Sequence, residues 1–72
     1  MSAVERAIEI IGGQTKAAKL LNTKQNIIWY WLNRHAQAPA KYITRISELT
    51  NGQVTVAELL ADHVKTDKED AA

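Results

Sequence analysis

The sequence predicts an all-α domain of five helices. Apolar residues recur at three- and four-residue intervals, Ser2-x-x-Glu5 and Thr55-x-x-Glu58 mark helix starts, and Gly12-Gly13 and Asn51-Gly52 interrupt the pattern between segments. A chain of 72 residues makes one domain and hides only about 60% of the surface its unfolded form exposes. With no cysteine, it has neither disulfide staples nor thiolate zinc ligands, which suits a reducing cytoplasm. Helix packing, helped by a second subunit, must then supply the stability.

The first helix starts at the Ser2 and Glu5 box, because the two side chains can satisfy each other's orphan backbone donors. Val4, Ala7, Ile8 and Ile11 give it one apolar face, and Gly12-Gly13 ends it. Residues 14–21 read as a second helix whose Ala17, Ala18 and Leu21 face inward. Asn22 breaks the pattern at a tight turn, since asparagine tolerates the left-handed conformation, and Thr23 is placed to cap the next helix. Residues 25–33 form the third helix, with Ile28, Trp31 and Leu32 inside and Asn26, Tyr30 and Asn33 on the opposite face. A loop over 34–38 leads to Pro39, suited to the first turn of a fourth helix over 39–50 with a stripe of Tyr42, Ile43, Ile46 and Leu49. Thr55 and Glu58 open a short fifth helix through Val56, Leu59 and Leu60. The domain so read spans 1–63, and the charged tail 64–72 loses periodicity and is expected to be disordered.

Net charge is only +1, but it is unevenly distributed. Between Gln14 and Arg45 stand Lys16, Lys19, Lys24, Arg34, Lys41 and Arg45 without one acidic residue, while the acids lie in the flanks. A stretch that mixes helix and turn yet lacks acids suits a polyanion such as nucleic acid. An enzyme is disfavoured because the chain has no cysteine, its two histidines are far apart in sequence, and that basic stretch has no carboxylate. No cofactor is expected, and clustered ligands for a metal are missing from the sequence. No apolar run approaches the roughly 18 residues of a membrane span, and the first residues lack the pattern of a secretory signal.

The run from Gln14 to Leu32 resembles the helix-turn-helix of Cro and repressor proteins of lambdoid phages. Gln14, Ala18, Leu21, Asn22, Ile28 and Trp31 stand at that motif's first, fifth, eighth, ninth, fifteenth and eighteenth positions. With Gly12-Gly13-Gln14 before it and Asn51-Gly52-Gln53-Val54-Thr55 after the fourth helix, the chain is similar to the short Cro-like regulators that include the YdaS-like antitoxin family. It departs at Asn22, where glycine is usual, and at Trp29, where a small or polar residue is common. The resemblance implies a lambda-repressor-like helix-turn-helix domain that binds operator DNA and represses transcription. An antitoxin or adaptor acting mainly through proteins is the alternative.

The resemblance further implies that Lys24, Gln25, Asn26 and Tyr30 meet bases, and their chemistry suits that role. Gln and Asn can pair bidentately with adenine, Lys can donate to guanine, and a tyrosine ring can touch a thymine methyl. Gln14 matches a glutamine that braces Gln25 and binds a phosphate. Lys16, Lys19, Asn33, Arg34 and Lys41 either lie over phosphates or point into water. Trp29 either bridges the third helix and the next loop or contacts the groove or a sugar, whereas Trp31 is a core residue. His35 in the same loop either touches a phosphate or faces solvent. The partners implied are duplex operator DNA, a second copy of the chain that can assemble on DNA alone, and a toxin; residues 51–60 are the interface candidate.

Overall fold

The computed structural model describes the backbone of residues 2–71 and the side chains of residues 2–64. Among these there are five helices and no strand: α1 (Ala3–Ile11), α2 (Gln14–Leu20), α3 (Gln25–Tyr30), α4 (Ala40–Leu49) and α5 (Val56–Ala71). A wider π turn, Trp31–His35, continues α3 without a break. The backbone of α5 continues through Ala71, so the fifth helix is longer than the short one expected; the side chains of the expected tail over 64–72 lie almost wholly outside those described, and no described helix is long and apolar enough to cross a membrane.

Two helix starts, those of α1 and α5, have a side-chain cause. At α1 the Glu5 N–H donates to Ser2 Oγ at 3.2 Å. At α5 the box is reciprocal: Glu58 N–H donates to Thr55 Oγ1, and Thr55 N–H to Glu58 Oε1, both at 3.1 Å. The α1–α2 corner needs glycine at Gly12 because its φ is +122°, a conformation that side-chain-bearing residues rarely adopt; the exposed Lys16 stem, which a Cβ would meet at 2.9 Å, is flexible and could move aside. Asn22 takes the left-handed conformation at φ 56° and turns the chain from α2 towards α3.

Three local expectations need correction. Lys24, not Thr23, precedes α3, and no side chain caps that helix, so the turn closes on the backbone through Thr23 N–H to Ala18 O at 2.9 Å. Pro39 stands just outside α4 with ψ 143°, which places it before the first helical residue. Residues 34 and 35 belong to the π turn, so the expected loop is shorter and starts at Ala36, which is left-handed at φ 52°. Hydrogen bonds to the fifth residue along widen the spiral there, a change that apolar periodicity does not register.

The core joins Val4, Ala7 and Ile8 of α1, Ala17 and Ala18 of α2, Ile28, Trp31, Ile43 and Ile46, Val54, and Leu59 of α5. Small alanines let α1 and α2 approach closely, while the Trp31 ring lies 5.0 Å from that of Tyr42 and ties the π turn to α4. Thr50, buried at the end of α4, is satisfied by donating to Ser47 O at 2.8 Å and accepting from Val54 N–H at 3.1 Å.

Two consecutive α5 residues reach across the chain. The buried carboxylate of Asp62 accepts from Ala3 N–H and Val4 N–H, each at 3.0 Å, and so occupies the positive end of α1. His63 Nε2 donates to Ala38 O at 2.6 Å. Arg6 of α1 also pairs with Glu58 of α5. The Arg6 hydrogen bond first, and the Thr55 backbone N–H second, hold the Glu58 carboxyl below its ordinary value.

Asp62→Ala leaves two helix-end donors unmet and is expected to cost about 2–3 kcal/mol, read from urea unfolding. Because the Glu58 carboxyl is lowered in the folded chain, its contribution is present above the ordinary carboxylate range and is lost as pH falls through the folded value. The stability gap between the native chain and Glu58→Gln, followed by thermal unfolding, should therefore shrink on acidification. A gap independent of pH would contradict this linkage.

Candidate nucleic-acid interface

The orientation of α3 is set by its buried side. Ile28 is fully buried and Trp31 nearly so, which on a helix of 3.6 residues per turn directs Gln25, Asn26, Trp29 and Tyr30 outward. All four are exposed, as is Lys24 at the helix start. Packing of α2 against α3 brings the first turns of both helices together. There Gln25 Nε2 donates to Gln14 Oε1 at 2.5 Å, leaving the carbonyl oxygen of the Gln25 amide free to accept and Gln14 its own amide N–H groups to donate.

Trp29 is 41% and Tyr30 43% exposed, with their rings edge to face at 5.4 Å. The solvent edge of α3 therefore carries a mutually oriented aromatic pair beside its polar first turn. Asn33 Nδ2 donates to Trp29 O at 3.0 Å, so this side chain is partly committed to its own helix. Lys16 and Lys19 on α2 and Arg34 on the π turn are exposed, and Lys41 sits with Nζ 5.3 Å from the Tyr42 ring centre. Arg45 at the end of the acid-free stretch pairs with Glu48 at 3.6 Å, which reduces its share of the positive field.

The fold thus gathers Gln14, Lys24, Gln25, Asn26, Trp29 and Tyr30 around α3. His35 is exposed on the π turn that continues it, and Lys41 belongs to α4. Two features of the neighbourhood had no local sequence signal: the π turn, and the link from the loop before α4 to His63, whose partner is 25 residues away. The Gln14–Gln25 bond has a direct readout. In the native chain the Gln25 side-chain amide protons should be split away from free-glutamine positions in an NMR spectrum, and Gln14→Ala should collapse that splitting. Unchanged resonances would mean that the bond is absent in solution.

No curated protein and no solved structure matches the chain. The family model described as bacterial toxin YdaS does match, over residues 4–68, a span that includes the whole α2–α3 pair and every helix start after the first. On that coverage the chain belongs to the YdaS family.

Proposed function

We propose that this protein is a non-catalytic, sequence-specific duplex-DNA-binding regulator, whose α2–α3 pair acts as a lambda-repressor-like helix-turn-helix and places α3 in the major groove. The observation that carries this reading is the outward face of α3: Lys24, Gln25 and Asn26 exposed in its first turn, with Gln25 braced by Gln14 and no acid between Gln14 and Arg45. An α-helix fits the major groove, where each base pair presents a distinct set of donors and acceptors. Pre-orienting Gln25 lowers the entropy lost when its amide engages a base.

In this reading Lys24, Gln25, Asn26 and Tyr30 contact bases. Gln14, Lys16, Lys19, Trp29, Asn33 and Arg34 follow the backbone, with Trp29 buttressing Tyr30. One such domain covers a half-site. A Cro-like repressor of phage or prophage type would therefore bind as two copies on a pseudo-palindrome, with half-sites about 34 Å apart, and exclude polymerase from the bacterial promoter. A second reading, action through a toxin or antitoxin partner, is favoured by the family's description and by the exposure of Val56, Leu60 and Val64 along one side of α5.

Selection from randomised duplexes, with titration at several salt concentrations, separates the two. The DNA reading requires affinity that falls steeply with salt; binding absent at low salt, or flat with salt, favours the protein-partner reading. On the selected duplex, Gln25→Ala should cost about 1–3 kcal/mol and relax preference at one base position. Lys19→Ala should weaken specific and random duplexes alike and reduce the salt slope by about one. Equal losses from both variants on every sequence would contradict the assigned roles. Sedimentation with and without the duplex reads assembly, and Val56→Asp should impair it if α5 forms the contact.

A further inference from the structure

Tyr30 is the last α-helical residue of α3, is 43% exposed, and has the Trp29 ring edge to face beside it at 5.4 Å. It also lines a groove with Gln37 and Pro39, which belong to the connection between the π turn and α4. An exposed tyrosine samples several staggered rotamers unless neighbours restrict it. The place of that connection therefore decides how far the Tyr30 ring can turn from the outward face of α3.

Between Gln37 and Pro39 stands buried Ala38, whose carbonyl accepts from His63 Nε2 at 2.6 Å. A carbonyl only accepts, so the nitrogen facing it carries the proton. Upstream, the connection bends at left-handed Ala36 and is tied to the π turn by Gln37 N–H donating to Trp31 O at 3.2 Å. His63 supplies its tie to α5. The aim of that side chain is set one residue earlier. Asp62, held by two α1 N–H groups at 3.0 Å, fixes the rotation of α5, and the next side chain points about 100° further round.

We infer that His63 is a positioning residue for the DNA-reading face: by holding Ala38 it fixes Gln37 and Pro39 as a wall beside Tyr30 and restricts the directions open to the Tyr30 ring. The functional half of this inference rests on the reading of Tyr30 as a base contact. Restricting an exposed ring before binding lowers the entropy lost when it engages DNA. His63 itself is half-buried and committed to Ala38, and it acts only through that connection.

Two substitutions separate the hydrogen bond from the ring. His63→Phe keeps a ring and loses the donor, whereas His63→Gln loses the ring and keeps an amide N–H near the place of Nε2. In the free chain, His63→Phe should shift the Tyr30 ring and Gln37 side-chain resonances, and His63→Gln should restore them. On the duplex selected by the native chain, His63→Phe should weaken binding about three- to tenfold, and His63→Gln should recover most of that loss. In a Tyr30→Ala background, His63→Phe should change affinity by less than about twofold, because the residue it positions is gone. If His63→Phe does not fold, His63→Asn, whose amide is too short to stand where Nε2 does, takes its place. Equal losses in the two backgrounds, a glutamine variant no better than phenylalanine, or unmoved Tyr30 resonances would overturn the inference. A native chain without salt-dependent duplex binding would instead remove the DNA reading and with it the functional half, while the free-chain spectra still decide whether His63 restrains Tyr30.

Discussion

Asp62 accepts two hydrogen bonds from the first turn of α1, and everything between those helices is framed by that contact. A helix start exposes N–H groups with a partial positive charge, and a buried carboxylate is a favourable partner for them. The same geometry removes an acid from solvent and returns the chain close to where it began, which sets where α1 lies on α5. Helix α1 in turn packs against α2 and α4, and α2 against α3. The placement of the exposed face of α3 therefore depends on an interaction made entirely by other helices. His63, next to Asp62, extends the frame by fixing the loop that enters α4.

Charge segregation has its origin in the same arrangement. Two acids of α5 are used internally, Asp62 at the start of α1 and Glu58 between Arg6 and the Thr55 box. Glu48 is paired with Arg45. Exposed cations on α2, at the start of α3 and on the π turn have no carboxylate near them in sequence. A net charge of +1 thus conceals a polar distribution, and the whole-chain value is the wrong quantity from which to infer a partner.

The features legible in the sequence were local ones. The Ser2 side-chain cap, the reciprocal box at Thr55, the left-handed Asn22 and the inward positions of Ile28, Trp31, Ile43 and Ile46 are properties of a few neighbouring residues, and they stand in the structure; at Ser2 the serine half of the expected box is the one seen. Asp62 and His63 were opaque because their partners lie 58 and 25 residues away, and nothing in an acid or a histidine near a charged tail announces burial. Thr23 failed as a cap for a different reason. The turn at Asn22 sends Thr23 N–H back to Ala18 O, so the backbone completes the reversal before a side chain is required. Val56 and Leu60 are exposed, whereas Val54 and Leu59 beside them in sequence are buried, so only part of the apolar set in residues 51–60 enters the core.

The π turn explains how a regular helix face coexists with an irregular exit. Up to Tyr30 the spiral is α-helical, so burying Ile28 determines which residues are exposed, and the outward set is readable from period alone. From Trp31 the ladder widens, and Trp31 O accepts from both Ala36 and Gln37 N–H. An unbroken α-helix would carry residues 32–35 round at the same angle and change their approach to α4, where Trp31 meets Tyr42. A left-handed alanine costs about 1–2 kcal/mol relative to an ordinary helical position. Burial of an indole against Tyr42 is large enough to offset that, since truncating a buried aromatic costs about 3–5 kcal/mol. The irregularity is thus confined to the segment after the exposed face, and the face itself retains ideal helical spacing.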